Sequence, residues 1–212
     1  RAIEQDKRCV PALHGLRDIF RRQARPKRVI ESLRREVDIW DNPREKASVH
    51  TRIAEIYWTD QNDAVSALTH LDSALALVPD SGAALQLLLD IHYERRLWEE
   101  ASPIANTLSQ HPETVRAERR AELFLRRGII AKHLGHRREA IDSLKIALDI
   151  APDNSDAFDA LADLFAQDDE SEAHLEFFSD LQSALEAHQN RPGLSRVKRF
   201  LGRQAEGHYA LE

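Results

Sequence analysis

An all-α chain made of repeated helical hairpins is what this sequence predicts, and three observations predict it. A packing residue early in each second helix recurs as Val29, Ala67, Ala101, Ala140 and His174, at intervals of 38, 34, 39 and 34 residues. Charged residues make up 31% of the 212 positions while Gly and Pro number only 7 and 8, a helix-friendly balance that is neither disordered nor collagenous. Breakers stand where hairpins should end: Pro79-Asp80-Ser81-Gly82 and Pro152-Asp153-Asn154-Ser155 each stop one helix and offer caps for the next. No alternating β-branched run competes. A hairpin alone cannot bury its own apolar face, so such units must stack, which predicts a solenoid with a concave binding face.

The elements follow from apolar periodicity. Residues 1–9 read as the tail of a truncated preceding repeat, because Ala2-Ile3-Glu4-Gln5-Asp6 matches Ala147-Leu148-Asp149-Ile150-Ala151 in position relative to the next hairpin. The array is therefore expected to continue N-terminally. Five hairpins occupy 10–188, pairing 11–23 with 27–40, 43–59 with 63–78, 82–95 with 98–110, 112–134 with 137–150, and 155–166 with 170–188. Long and short repeats alternate, and the four or five extra residues are about one helical turn. They fall beside Asn42–Pro43 and His111–Pro112, where Pro suits a helix's first turn, so the first helices of hairpins two and four should be lengthened at their N-terminal ends. A terminal capping helix is expected over 189–210, beginning at a Ser195 cap with Val197, Phe200, Leu201 and Ala205 as its apolar stripe. Leu211–Glu212 reads as a tag scar.

Charge is distributed unevenly. Residues 1–35 carry 11 Lys/Arg against 4 Asp/Glu, whereas 151–188 carry 11 Asp/Glu and no Lys or Arg, within a net charge of −6. Blocks of this kind steer partners rather than set the fold. No run approaches the ~18 apolar residues a membrane helix needs. A lone Cys9 precludes an internal disulfide, so nothing demands an oxidising compartment and the cytoplasm is favoured.

The stretch from Ala121 to Asn154 carries the clearest copy of the phrase. Phe124, Gly128 and Ala131 fall on one face, Gly135 breaks the helix, Ala140, Leu144 and Ala147 mark the next, and Pro152 ends it, with Arg127 where a leucine is expected. Leu85, Leu88, Trp98, Ala101, Ala105 and Leu108 form a looser copy with His92 at the usual aromatic, and Phe158, Leu161, Ala162 and Phe165 another. This pattern resembles the tetratricopeptide repeat family across nearly the whole chain. The resemblance implies a right-handed superhelical solenoid whose concave face, lined by first helices, binds extended peptides or helices. In that register the inward residues are His14, Asp18, Arg21 and Arg22; Thr51, Glu55 and Trp58; Gln86, Asp90 and Tyr93; Leu125, Ile129 and Lys132; and Asp156, Asp159 and Asp163. The face would grade from basic to acidic; the plainer reading is that these charges simply solvate it.

Chaperone-binding members grip a carboxylate with Lys and Asn on first helices. The five asparagines here, Asn42, Asn62, Asn106, Asn154 and Asn190, are not so placed, and chaperone-tail binding is not expected. His133-x-x-His136 straddles a helix break and lacks a third ligand. The acidic run of Asp156, Asp159, Asp163, Asp168, Asp169, Glu170 and Glu172 lacks the alternation and turn glycine of a calcium loop. Cys9 has no evident His partner, and no nucleophile or phosphate loop accompanies the carboxylates. The expectation is a non-catalytic scaffold without cofactor or metal that holds a protein or peptide in its groove. Trp98 is expected in the core; Trp58 and Tyr93 are expected to anchor a ligand or to bury between hairpins. Two alternatives remain. One is RNA binding through the basic start (Arg17, Arg21, Arg22, Arg25, Lys27, Arg28, Arg34, Arg35), against which the acidic fifth hairpin stands. The other is a structural arm of a larger assembly; head-to-tail polarity also permits self-association.

Overall fold

The computed structural model describes residues 10–166, 171–187 and 190–209. The expectations for residues 1–9, Cys9, Asp168, Asp169, Glu170 and Leu211–Glu212 lie outside these residues, as do the side chains of Glu172, His174 and Ala205. Every regular element among the described residues is helical. The order is α1 (Val10–Arg22), α2 (Pro26–Ile39), α3 (Pro43–Thr59), α4 (Ala64–Leu77), α5 (Gly82–Glu94), α6 (Trp98–Gln110), a 3₁₀ turn at Pro112–Thr114, α7 (Ala117–His133), α8 (Arg137–Ile150), α9 (Ser155–Phe165), α10 (Ser171–Ala187) and α11 (Arg191–Tyr209). The chain divides into two compact units, 1–96 and 97–212, and the division falls within the turn of the third expected hairpin.

The repeat is written into the backbone. Ala24, Asn62, Arg96 and Gly135 take the left-handed conformation with φ of 50°, 52°, 57° and 76°, and each lies five residues before the packing residue Val29, Ala67, Ala101 or Ala140. The turn therefore repeats with the 38, 34, 39 spacing of the sequence. Left-handed backbone just past a helix lets following N–H groups reach back to the last carbonyls, as from Arg25 to Phe20 at 3.0 Å and from His136 to Ala131 at 2.8 Å. Only Gly takes this conformation without cost.

Helix starts follow local polar chemistry. Asn42 accepts from the Arg44 N–H at 2.9 Å, Asp63 from Ser66 at 3.1 Å, Asn154 from Ala157 at 3.0 Å and Asn190 from Gly193 at 2.9 Å, satisfying donors a helix leaves open. Asn190 thus starts the last helix at Arg191, with Pro192 in its first turn. The expected cap at Ser195 is corrected: an Asn three residues before Gly193 outcompetes a Ser that would leave a turn unformed. The first helices of hairpins two and four have 17 residues each, against 13 in α5 and 11 in α9. The fourth does not begin at Pro112, however. A 3₁₀ turn covers 112–114, Val115 turns extended and buries, and Arg120 Nε donates to the Pro112 and Val115 carbonyls at 2.9 and 3.3 Å.

In the first unit two apolar clusters stand out among the described residues. Val29, Ile30, Leu33, Val49, Ile53 and Ile56 lie between α2 and α3, and Ala47, Ala54, Ala67, Leu71, Ala74, Ala84 and Ile91 join α3, α4 and α5. Tyr57 packs against both. The second unit has one larger cluster, centred on the fully buried Phe178, whose ring lies 5.3, 5.7 and 4.4 Å from those of Phe158, Phe165 and Phe200. Burial of one such side chain is worth about 1.5–3 kcal/mol. Gly128 is where α7 and α8 come closest: a Cβ there would sit 2.6 Å from Leu144 Cγ and 3.2 Å from the Ala140 carbonyl oxygen.

Candidate interaction face

In the first unit the face begins with a buried ion pair. Arg17 on α1 donates to Glu36 on α2, both 3% exposed, and His14 lies 3.2 Å from the other carboxylate oxygen. Burial works to raise the Glu36 pKa, but hydrogen bonds from Arg17 and His14, and their charge, outweigh it and hold the carboxyl below its ordinary value. Ser32 adds a hydrogen bond to the Leu13 carbonyl at 3.3 Å. Arg17 therefore works inside hairpin one and is unavailable to a nucleic acid, which corrects its place in the basic start. Arg28 pairs with Glu31, and Arg34 donates to the Tyr57 hydroxyl oxygen; Arg21, Arg22, Arg25, Lys27 and Arg35 are exposed.

Arg52 on α3 is the residue that the sequence reading missed. It is half-buried, and its pKa is pulled below the ordinary guanidinium value by burial first and then by the charge of Arg17, with Arg21 adding to the effect and Glu36 and Glu55 opposing it. Glu36 is already engaged by Arg17, and no ion pair or hydrogen bond among the described residues engages Arg52, Arg21 or Arg22. The charges of Arg17 and Arg21 thus act on Arg52 and are offset in part by those of Glu36 and Glu55. The signal was present: Arg52 precedes Glu55 by three positions, which puts both on one helical face.

The remaining expected residues of this unit divide by environment. Glu55 is exposed, while Trp58 is half-buried against the α3–α5 cluster. Gln86, Asp90 and Tyr93 on α5 are half-buried and each is engaged with a neighbour. Trp58 and Tyr93 are thus both partly enclosed within the unit.

In the second unit the acidic stripe is partly answered. Lys132 Nζ lies 3.1 Å from Asp163, and Arg196 Nε lies 3.8 Å from Asp159. Asp156 is exposed, 3.4 Å from the Ser155 hydroxyl. Leu125 packs against the aromatic core and Ile129 is half-buried. Arg127, the unexpected residue of the best repeat copy, bridges three helices: Nε donates to Asn106 Oδ1 at 2.8 Å and a terminal nitrogen to Glu139 at 3.0 Å. A polar clasp thus stands where a leucine would pack.

The asparagines have structural work here: Asn42, Asn154 and Asn190 cap helices, Asn62 makes a turn, and Asn106 holds Arg127. His133 stacks on Trp98 with ring centroids 4.4 Å apart and planes 2° from parallel, while His136 Nδ1 lies 3.7 Å from Glu139. Trp98 is half-buried beneath that stack rather than enclosed in the core. Among the described residues no group of three His, Cys, Asp or Glu converges, and no helix is long and apolar enough to cross a membrane.

No family model and no curated protein sequence matches the chain. Solved structures do. A MamA fragment from Desulfovibrio magneticus RS-1 is 17% identical with a TM-score of 0.64, covering 87% of this chain and 98% of its own. PilF of Pseudomonas aeruginosa is 18% identical at a TM-score of 0.59, covering 93% and 92%. YrrB, described as a tetratricopeptide repeat protein with an unusual peptide-binding site, is 15% identical at 0.64, covering 93% and 96%. Hairpins of this geometry, repeating at this spacing and matching these structures over most of their length, give the chain the fold of the tetratricopeptide repeat proteins.

Proposed function

We propose that this chain is a non-catalytic interaction module that holds an extended, acidic segment of a protein partner against the first helices of its first unit. The observation that carries this reading is Arg52, half-buried on α3 without an ion pair or hydrogen bond among the described residues, together with the exposed Arg21 and Arg22 on α1. A half-buried guanidinium crowded by other cations gains more from an incoming carboxylate than an exposed one, because the local dielectric is lower and water screens less. Exposed Arg21 and Arg22 would guide approach, and Glu55 and Asp90 would set register by repelling carboxylates at the wrong positions. Trp58 and Tyr93 would add apolar contact through the parts of their rings left exposed. Support comes also from YrrB, which is described as having an unusual peptide-binding site. In the second unit, Leu125, Ile129 and Lys132 with Asp156, Asp159 and Asp163 would form a second, weaker face, because Lys132 and Arg196 already answer two of its three carboxylates.

The test is fluorescence anisotropy with short labelled peptides of acidic, neutral and basic composition. Acidic peptides should bind, and the double variant R21E/R52E should weaken them by at least ~10-fold, or about 1.4 kcal/mol. D156K should leave that binding within a factor of two or so, since it belongs to the other unit. Equal affinity for all three peptide classes, or for R21E/R52E and the parent, would overturn the assignment.

A further inference from the structure

The second hairpin contains a histidine pair that peptide binding does not use. His50 on α3 and His70 on α4 set Nδ1 against Nδ1 at 3.0 Å, with ring centroids 5.3 Å apart. Tyr57 stacks on His70 at 5.6 Å and 15°, and its hydroxyl oxygen accepts from Arg34 on α2 at 3.0 Å. Both imidazoles are half-buried. The charged groups acting on them are Lys46 on α3 for His50 and Arg34 on α2 for His70, α5 supplies none that shifts either ring, and no carboxylate among the described residues pairs with them. We infer that this pair is a proton-operated latch: it closes the second hairpin while at least one ring is neutral and releases it once both carry a proton.

The chemistry follows from what each ring nitrogen can do. An Nδ1–Nδ1 contact at 3.0 Å needs one ring to donate and the other to present a bare nitrogen. A first proton is tolerated, since a charged donor strengthens the bond to a neutral acceptor. A second leaves two N–H groups facing each other and two cations in contact, with Lys46 and Arg34 beside them. Protons therefore bind in two steps that belong to the pair. Burial first, then Lys46, lowers the His50 pKa; burial first, then His50 and Arg34, lowers that of His70. With folded values below the unfolded value near 6.5, the contribution of the pair is complete above that pH and is lost as pH falls below it. Tyr57 carries the effect onward, because it packs against both clusters of the first unit. A divalent metal suits the pair less well: it would need a third donor and would sit against two cations.

The latch is tested on the whole chain by NMR titration of the two imidazoles and by hydrogen exchange between pH 7 and 5. Both rings should show a shared two-step titration whose second step lies well below the ordinary histidine value. Protection over 43–77 should fall with acidification by up to ~10-fold per pH unit for each ring, while 137–150 in the other unit changes less. H50Q and H70Q, each keeping a hydrogen-bonding side chain but removing one titrating group, should both flatten that fall. Independent single-step titrations at the ordinary value, or an unchanged pH slope in both variants, would overturn the latch. Zinc that protects 43–77 at pH 7 in the parent and not in H50Q would overturn it too, replacing the proton by a metal. None of these readouts depends on a peptide, so the latch and the acidic-segment reading can fail separately.

Discussion

The two units are built on one repeat and held together by different chemistry. In the first, a buried Arg17–Glu36 pair with His14 and Ser32 beside it crosses from α1 to α2, and the His50–His70 contact crosses from α3 to α4 beside an apolar cluster. In the second, α9, α10 and α11 meet through interlocked Phe158, Phe165, Phe178 and Phe200. An aromatic interface is indifferent to pH; a buried polar interface is demanding, since each group must keep its partner. The same hairpin can therefore be a passive support at one end and a chemically responsive element at the other.

The largest effects should come from breaking each interface at its centre. F178A should cost about 3–5 kcal/mol through lost transfer energy and a residual cavity. E36A should cost a similar ~3–5 kcal/mol by leaving Arg17 buried without its counter-charge. The two separate on repair: the pair of substitutions R17M/E36L should recover most of the loss, because removing both charges also removes their desolvation cost. Urea unfolding measures all three, and a double variant as unstable as E36A would mean that the ion pair contributes net stability. Acid gives the same contrast without mutation. The lowered Glu36 pKa means that its contribution is complete above about 4.5 and lost as pH falls below it, so hydrogen exchange in hairpin one should rise there in the parent and not in R17M/E36L.

This contrast also explains what was legible beforehand. The hairpins, their alternating spacing and the stripe of Phe158, Leu161 and Phe165 follow from apolar periodicity, whereas the aromatic cluster around Phe178 does not. Arg17, Glu36, His50 and His70 look like ordinary surface residues on charged helices; only the angle at which two helices meet reveals that they face each other. Charge counting along the chain had the same limit. The basic start and acidic fifth hairpin are not wholly open surfaces, because Arg17 is spent internally and Lys132 and Arg196 lean on the α9 carboxylates. Arg52 shares a helical face with Glu55 in the sequence, but its half-burial and the nearby charge of Arg17 and Arg21 follow only from the fold.

Glycine offers a smaller test with opposite signs in the two units. G128A should destabilise by about 1–3 kcal/mol, since the new methyl meets Leu144 and the Ala140 carbonyl where two helices touch. G15A on α1, where nothing lies within 4 Å of the added carbon, should stabilise by up to ~1 kcal/mol through helix propensity. Thermal melts of the two variants should move in opposite directions; a common direction would mean that α7 and α8 are less closely apposed than their backbones indicate.

The smallest effects are predicted at the four left-handed turns, and they sharpen the comparison most because the backbone task is the same at each. Gly135 performs it at φ 76° without strain, whereas Ala24 and Arg96 perform it at 50° and 57° with a Cβ in the way. A24G and R96G should each stabilise by about 0.5–1 kcal/mol, relief of left-handed strain exceeding the extra freedom that glycine brings to the unfolded chain. N62G should gain less, since Asn tolerates this region, and G135A should lose about 1 kcal/mol. If instead A24G and R96G destabilise, the turns have room for their side chains and the strain is absent. If they stabilise in proportion to the residue replaced, the first unit is carrying backbone strain at hairpin turns that the second avoids at Gly135. That would make the polar unit the softer of the two for reasons independent of its charges, and would place the lowest barrier to opening in the unit that also holds the histidine pair.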